Sequence, residues 1–263
     1  MRVLTAGVVL VAAMSSGATA LAAAPSTGQV VIVHGVRGLV ANVDVDGSRA
    51  LSAFQPERTT DPLQLAAGTH SVVVRRANDP SAAPVLQKTV TVPAGGLVSA
   101  ALGLGATGQP SVTLFNERGP AVPAGKARLV VRHIAAAPMV RTTLDGHSLG
   151  AALSGGSRQT TADLAAGKHS LGVVGMDGAP VLAPQDLPLR AGTVTTVYLI
   201  GSVPENTLTW LVRISDTRAL AGVPTGTDGL AATGASIPWS GVALVMGIVL
   251  LLPVLLLRAR RRG

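Results

Sequence analysis

Two histidines that follow apolar runs are the residues of this chain whose type and position could support chemistry. His34 comes directly after such a run, His133 follows one with Arg132 in between, and the two histidines lie 99 residues apart. A pair of imidazoles in equivalent places could bind a metal ion or act as acid and base. The alternative is that each ring bonds backbone groups across a loop. Because a duplicated fold needs the same contacts twice but need not share one site, the sequence favours the structural interpretation.

The acidic residues and serines form no catalytic set. Asp44 and Asp46 could belong to a calcium site, which takes six to eight oxygen ligands, but the second half has Thr143 where the first has Asp44. No serine stands in a Gly-x-Ser-x-Gly elbow, and the chain has no phosphate-binding loop. A glycosidase needs two placed carboxylates, usually in a groove lined with aromatic rings, and aromatic residues make up only 2% of this chain. We therefore expect no catalytic residue, no metal site and no cofactor.

The three remaining histidines are expected to be structural or solvated. His70 and His169 each follow a turn at the start of a strand. We predict half-buried rings that pack on one side and reach water with the polar tip. His147 follows an Asp-Gly turn and has no counterpart in the first half, so it is predicted to be a solvated loop residue.

These residues belong to an internal repeat. Residues 65–71 read Leu-Ala-Ala-Gly-Thr-His-Ser, and residues 164–170 read Leu-Ala-Ala-Gly-Lys-His-Ser at the same offset of 99 residues. Several matches in the same order predict two copies of one module joined by a linker. The predicted first module, linker and second module are residues 28–118, 119–126 and 127–215.

Each half of the chain reads as short strands separated by turns. Val30–Val33 is a β-branched run, and Thr89–Val92 alternates with a period of two residues. Asp46-Gly47 and Asp145-Gly146 are typical of two-residue hairpins. About seven such strands per half, with a turn signal roughly every ten residues, predict an all-β fold of two tandem immunoglobulin-like β-sandwiches. A small barrel would give much the same pattern.

The composition excludes several functional classes. The chain of 263 residues has no cysteine, so disulfides, a thiol nucleophile and thiolate metal ligands are excluded. The net charge of +8 is concentrated at the two ends, where Arg2 and the last four arginines lie. The other 16 basic residues are nearly balanced by 13 acidic residues. We therefore predict no nucleic-acid partner.

The N-terminus has the pattern of a secretory signal peptide. A short basic start precedes an apolar run from Val3 to Ala13, and small residues follow that run. We predict that residues 1–22 form the leader and that cleavage occurs after Ala22, with Ala20 and Ala22 as the small residues of the cleavage frame. Cleavage after Ala20 is the nearest alternative.

The C-terminal residues 230–263 combine three features. The pentapeptide Leu230-Ala231-Ala232-Thr233-Gly234 comes first. A largely apolar stretch over 237–257 follows, and its length of about twenty residues predicts a transmembrane helix. Four arginines then end the chain, and positive charge stays on the cytoplasmic side of a membrane.

These three features in this order resemble a Gram-positive cell-wall sorting signal, in the variant with Ala at its second position that is typical of high-GC actinobacteria. The resemblance implies that a sortase, of the class E type, attacks the carbonyl of Thr233 and releases Gly234 onward. Thr233 would then be joined to an amine of peptidoglycan or of its precursor. The alternative is a plain membrane anchor in which the pentapeptide has no role.

A second resemblance concerns the modules. His34–Gly47 and Thr60–Gly68 are similar to an actinobacterial extracellular domain of unknown function, DUF4397. In the second half, Val131–Pro138 and Thr196–Gly201 carry the same resemblance. It implies secreted, wall-linked β-modules, and it supplies no activity.

Together these patterns predict a secreted, envelope-anchored, non-catalytic surface protein whose β-modules serve structure, spacing or interaction. A linker at 216–229 would connect the modules to the sorting signal, whose tail stays in the cytoplasm before processing. The alternative is a wall-associated metal-binding or hydrolytic protein that uses His34, His133 or the loop at Asp46.

Overall fold

The regular elements of this protein are β-strands throughout the part of the chain that is described. The computed structural model describes residues 26–156 and 159–216, and all the elements there are strands. The predicted all-β class is therefore confirmed. No helix of these residues is long and apolar enough to cross a membrane. The predicted leader, the linker beyond Asp216 and the sorting signal lie outside the described residues.

Module 1, as we use the term below, is the set of strands β1–β9. Their bounds are β1 Thr27–His34, β2 Ala41–Val45, β3 Ser48–Phe54, β4 Arg58–Thr59, β5 Leu63–Ala66, β6 Gly68–Arg76, β7 Leu86–Val92, β8 Leu97–Leu104 and β9 Pro110–Asn116. Inner sheet 1 has the order β4-β1-β8-β9, with β5 also paired to β1. Outer sheet 1 has the order β3-β2-β6-β7. In the inner sheet β1 and β8 run parallel, and the other pairs are antiparallel.

Module 2 is the set of strands β10–β17, and it repeats this order. Their bounds are β10 Lys126–His133, β11 Val140–Leu144, β12 His147–Ser148, β13 Gln159–Ala165, β14 Gly167–Gly175, β15 Pro180–Leu189, β16 Thr193–Ile200 and β17 Thr209–Asp216. Inner sheet 2 has the order β13-β10-β16-β17, and outer sheet 2 has the order β12-β11-β14-β15. Strands β10 and β16 are parallel, like β1 and β8.

Both predicted Asp-Gly hairpins are present. Asp46 and Gly47 connect β2 to β3 with φ angles of 49° and 80°. Asp145 and Gly146 connect β11 to β12 with φ angles of 51° and 80°. A two-residue turn with both φ angles positive matches the right-handed twist of the strands on either side. Glycine reaches this region without steric cost, which explains its place in both dipeptides.

The four sheets form three apolar layers. The first lies between the two sheets of module 1 and includes Val30 and Val74. The last lies between the two sheets of module 2 and includes Leu129 and Val173. The middle layer joins the two inner sheets and includes residues of both modules, such as Val33. The modules therefore share a core, a contact that the sequence analysis did not anticipate.

The central strands β8 and β16 are buried on both faces because each inner sheet is covered on both sides. All eight residues of β16 are buried, and so are seven of the eight in β8. Continuous apolar runs are typical of strands that are buried on both faces. Strand β13, at the edge of inner sheet 2, instead alternates between exposed and partly buried residues along most of its length.

Candidate functional site

His34 is a fully buried residue that closes the loop between β1 and β2. Its Nε2–H donates to the Leu39 carbonyl at 2.9 Å, and its Nδ1 accepts from the Val36 N–H at 3.3 Å. These bonds fix the neutral tautomer with the proton on Nε2. Burial lowers the pKa of His34, and the bond to Leu39 opposes this shift. The ring also packs against Phe54, with centroids 5.5 Å apart.

His133 repeats this arrangement in module 2. Its Nε2–H donates to the Pro138 carbonyl at 3.1 Å, and its Nδ1 accepts from the Ala135 N–H at 3.3 Å. Burial again lowers the pKa of this ring. The structure does not bring His34 and His133 together as ligands of one site, because each faces the core of its own module. Both rings hold loops, as the structural interpretation predicts.

His70 forms an ion pair with the first hairpin turn. Its Nδ1–H donates to Asp46 Oδ2 at 2.6 Å, and its Nε2–H donates to the Ala66 carbonyl at 2.8 Å. The other carboxylate oxygen of Asp46 accepts from the Ser71 N–H at 2.8 Å. The bond to Asp46 is the main cause that raises the pKa of His70, and the bond to His70 is the main cause that lowers the pKa of Asp46.

His169 makes the same contacts with the second hairpin turn. Its Nδ1–H lies 2.7 Å from Asp145 Oδ2, and its Nε2–H lies 3.0 Å from the Ala165 carbonyl oxygen. The pKa of His169 is raised mainly by Asp145, whose own pKa is lowered mainly by His169. The predicted solvated ring tips are therefore wrong, since both nitrogens of each ring have protein partners. The fifth histidine, His147, lies exposed in β12 instead of in a loop.

These histidines and aspartates are bound in structural contacts. A general base needs a free ring nitrogen within reach of the proton that it removes, and both nitrogens of His34, His70, His133 and His169 are engaged. Asp46, which was considered for calcium, has both oxygens engaged by His70 and Ser71. No group of three or more His, Cys, Asp or Glu residues in the described ranges could hold a metal ion.

A buried charge network that the sequence analysis missed lies in the middle layer. The Arg132 side chain is 2% exposed and is paired with Glu117 of module 1, which is also 2% exposed. The same guanidinium donates to Ser99 Oγ at 3.0 Å and to Tyr198 Oη at 2.8 Å. It also lies 4.4 Å from the centre of the Phe115 ring, a cation–π geometry. Burial raises the pKa of Tyr198, so its hydroxyl stays protonated.

Beside this network, a cleft opens between the two modules. Its volume is about 320 Å³. Its lining comes from the end of β9, the linker, and strands β10, β13 and β16. Arg128 crosses one wall and donates to both oxygens of Asp163, at 2.7 and 2.8 Å. It also donates to the carbonyl oxygens of Pro120 and Ala121, so the linker is fixed against module 2.

The pentapeptide Leu230–Gly234 and the leader residues Ala20 and Ala22 lie outside the described residues. Their predicted roles as the sorting and cleavage sites therefore remain predictions.

Residues 28–143 match the family described as a domain of unknown function, DUF4397. This range covers module 1, the linker, β10 and most of β11. No curated protein matches the chain.

Proposed function

We propose that this chain is a secreted, envelope-anchored, non-catalytic surface protein whose two β-modules form one rigid unit for spacing or interaction. In this proposal both modules are immunoglobulin-like sandwiches, and module 2 is a second copy of the domain that matches over residues 28–143. The observation that carries the rigid-unit proposal is the shared middle layer, in which Arg132 of module 2 pairs with Glu117 of module 1.

The contacts of the middle layer support a rigid unit over a pair of flexibly linked domains. The middle layer buries apolar residues of both modules, such as Val33 and Ile200, so opening the joint between the modules would expose them to water at a cost in free energy. The linker adds a second restraint, because Arg128 binds two of its carbonyl oxygens. Inter-domain motion is the default expectation unless the interface is large and apolar, and here buried residues from both inner sheets fill it.

The non-catalytic part of the proposal is supported by the bonds of the histidines. An acid–base or metal-binding role for His34 or His133 would require each ring to give up two bonds that hold its loop. The loop at Asp46 would likewise have to give up His70 and Ser71.

The anchoring part of the proposal rests on the sequence of residues 230–263. A sortase would cleave after Thr233 and join it to peptidoglycan, and the stretch at 237–257 would hold the chain in the membrane until then. The test is the C-terminal mass of the protein released from purified cell wall by muralytic digestion. A chain that ends at Thr233 with a peptidoglycan fragment attached is expected. An intact chain to Gly263, extracted from membranes with detergent, would contradict sorting and make the stretch a permanent anchor.

The rigid-unit part has its own test. Rotational diffusion of the two modules, measured by ¹⁵N relaxation, is expected to give one common correlation time. Two distinct correlation times would show independent modules and would contradict this part of the proposal without affecting the anchor.

A further inference from the structure

The cleft between the modules has the position and size of a small-molecule site. Its volume of about 320 Å³ lies at the lower end of the range of roughly 300–1,000 Å³ for ligand pockets, and such pockets occur preferentially at domain interfaces. Apolar side chains of Val130 and Val194 contribute to its lining together with polar groups of both modules. A mixed lining of this kind suits a ligand with one polar and one apolar end.

The walls of the cleft are held in place before any ligand arrives. Arg128 fixes Asp163 on one side and the linker carbonyls on the other. Arg132 fixes Gln159 through a bond of 2.9 Å from its Nε–H to the amide oxygen. A site whose walls are already ordered pays less conformational entropy on binding.

The acceptor groups of the cleft are largely consumed by these contacts. Both oxygens of Asp163 accept from Arg128. One oxygen of Glu117 accepts from Arg132, and the other lies 4.0 Å from Arg213 Nη1. The amide oxygen of Asn116 accepts from the Arg118 N–H at 3.0 Å, as that of Gln159 accepts from Arg132.

The donor groups remain. With their oxygens bound, the amides of Asn116 and Gln159 present their NH₂ groups, which have no hydrogen-bond partner among the described residues. The Thr161 hydroxyl also lines the cleft. Arg118 is exposed, and its guanidinium donates only to the Gly95 carbonyl within the described chain. Arg118 is among the residues that line the cleft, and no carboxylate of the described chain lies within ion-pair distance of its guanidinium.

We propose that this cleft binds a small organic anion, a carboxylate attached to a compact apolar group. Arg118 binds the carboxylate, since a guanidinium presents paired donors that match two carboxylate oxygens. The amide NH₂ groups of Asn116 and Gln159 add donors, and Val130 and Val194 receive the apolar part. This assignment rests on the proposed interaction role of the modules and is independent of envelope anchoring.

The experiment is a titration of the full-length ¹⁵N-labelled chain, in detergent micelles, followed through the side-chain NH₂ signals of Asn116 and Gln159. The probes are N-acetyl-L-valine, its neutral amide N-acetyl-L-valinamide, and inorganic phosphate. We expect N-acetyl-L-valine to shift both signals with a dissociation constant of about 1 mM or tighter. The amide and phosphate are expected to bind at least tenfold more weakly.

Two variants test the residues that we assign. Arg118→Gln is expected to weaken binding of N-acetyl-L-valine at least tenfold, whereas the matched control Arg141→Gln, at an exposed position of β11 in outer sheet 2, should leave it unchanged. Thr161→Phe, at an exposed position in β13, should fill the cleft and abolish binding.

The proposal is overturned if N-acetyl-L-valine causes no shift, if the amide binds equally well, or if Arg118→Gln has no effect. Equal binding of inorganic phosphate would overturn the assignment to an organic anion. None of these outcomes alters the C-terminal mass that tests anchoring, so failure of the cleft assignment and failure of the proposed function are distinguishable.

Discussion

Modules 1 and 2 carry the same histidine contacts, yet their facing surfaces are built from different residues. Strand registers place Val33 beside Ala101 in module 1 and Arg132 beside Tyr198 at the corresponding positions in module 2. The smaller side chains of one inner sheet thus face the larger side chains of the other. The repeated residues close each module by itself, whereas the divergent residues specify how the two modules meet.

Removing Arg132, the central charge of the joint between the two modules, should have the largest effect on the free energy of unfolding. Arg132→Met leaves Glu117 buried without its hydrogen-bonded partner, with Arg213 at 4.0 Å as the remaining cation. Breaking a buried ion pair in this way costs about 3–5 kcal/mol. We expect this loss in the free energy of unfolding measured in urea. The double variant Arg132→Met/Glu117→Met is the control, since it also removes the stranded carboxylate and should recover much of the loss. A loss below about 1 kcal/mol in the single variant would contradict a specific charged joint.

A smaller effect is expected where the backbones of the two modules approach closely. A Cβ on Gly103 would lie 2.3 Å from the backbone oxygen of Ile134, which belongs to module 2. Gly103→Ala must therefore displace backbone, and overpacking of this kind costs about 1–3 kcal/mol. Gly105→Ala is the matched control, because its Cβ would meet only the Gln109 oxygen at 3.6 Å. Equal unfolding midpoints for the two variants would argue against close contact at the joint.

The cores of the two modules also differ, and the difference predicts a stabilising substitution. Module 1 contains a small apolar cavity of about 40 Å³ whose lining includes Ala100 and Val112. The strand registers place Val197 and Trp210 at the corresponding positions of module 2. Ala100→Val should fill part of the cavity and stabilise the protein by about 1 kcal/mol in urea unfolding.

The control for this substitution is the next residue of the same strand. Ala101 points to the joint and is fully buried, so Ala101→Val should destabilise the protein through overpacking. If both variants shift the unfolding midpoint in the same direction, the assignment of the two faces of β8 is wrong.

A test that needs no substitution compares the pKa values of the two classes of histidine. The pKa values of His70 and His169 are raised by aspartates, and those of His34 and His133 are lowered by burial. In an NMR titration of the ring protons, we expect His70 and His169 to lose their proton above pH 6.5. His34 and His133 should still be neutral at a pH below 6.5, where a free imidazole is mostly protonated. Four indistinguishable titrations near pH 6.5 would contradict the contacts described.

These pKa shifts make the stability of the fold depend on pH in opposite directions. The raised pKa of His70 contributes stability below pH 6.5 that is lost as the pH rises through the raised value. The lowered pKa of its partner Asp46 contributes stability above about pH 4 that is lost as the pH falls through the lowered value. The folded-state pKa of His34 is lowered, so as the pH falls below 6.5 the unfolded chain takes up a proton at this residue before the folded chain does. The contribution of His34 to stability therefore decreases.

The asparagine variant Asp46→Asn isolates the ion pair. It keeps one oxygen acceptor for the Ser71 N–H and removes the charge that faces His70. Its cost in unfolding free energy should be greatest between the lowered Asp46 pKa and the raised His70 pKa, and it should decrease on either side. A cost that is independent of pH would show that the charge of the pair contributes nothing.

Local patterns were sufficient to predict strands and hairpin turns. The predicted strands at Val30–Val33 and Thr89–Val92 and the Asp46-Gly47 turn agree with the structure because period, β-branching and turn chemistry act within a few residues. The ion pairs between His70 and Asp46 and between His169 and Asp145 were missed. Their signal was present, since both members recur at the same offset of 99 residues.

The joint could not be predicted in the same way, because its partners come from distant strands. Glu117 and Arg132 lie on opposite sides of the linker, and no period connects them. Two signals were nevertheless available. Strand β16 has no charged residue and no regular apolar–polar alternation, which indicates burial on both faces. Arg132 interrupts an apolar strand where module 1 has Val33, and a charge in a buried strand requires a partner.

The shared middle layer has a consequence for the order of events in synthesis. Module 1 is made first. Its inner face includes Val31, Val33 and Phe115, and this face becomes covered once the strands of module 2, among them β16 and β17, have been made. At about 5–20 residues per second, the roughly 100 residues from β9 to the end of β17 take some 5–20 s to appear. During that interval the growing chain carries an uncovered apolar sheet. This nascent half is therefore the species most exposed to aggregation and to capture by chaperones.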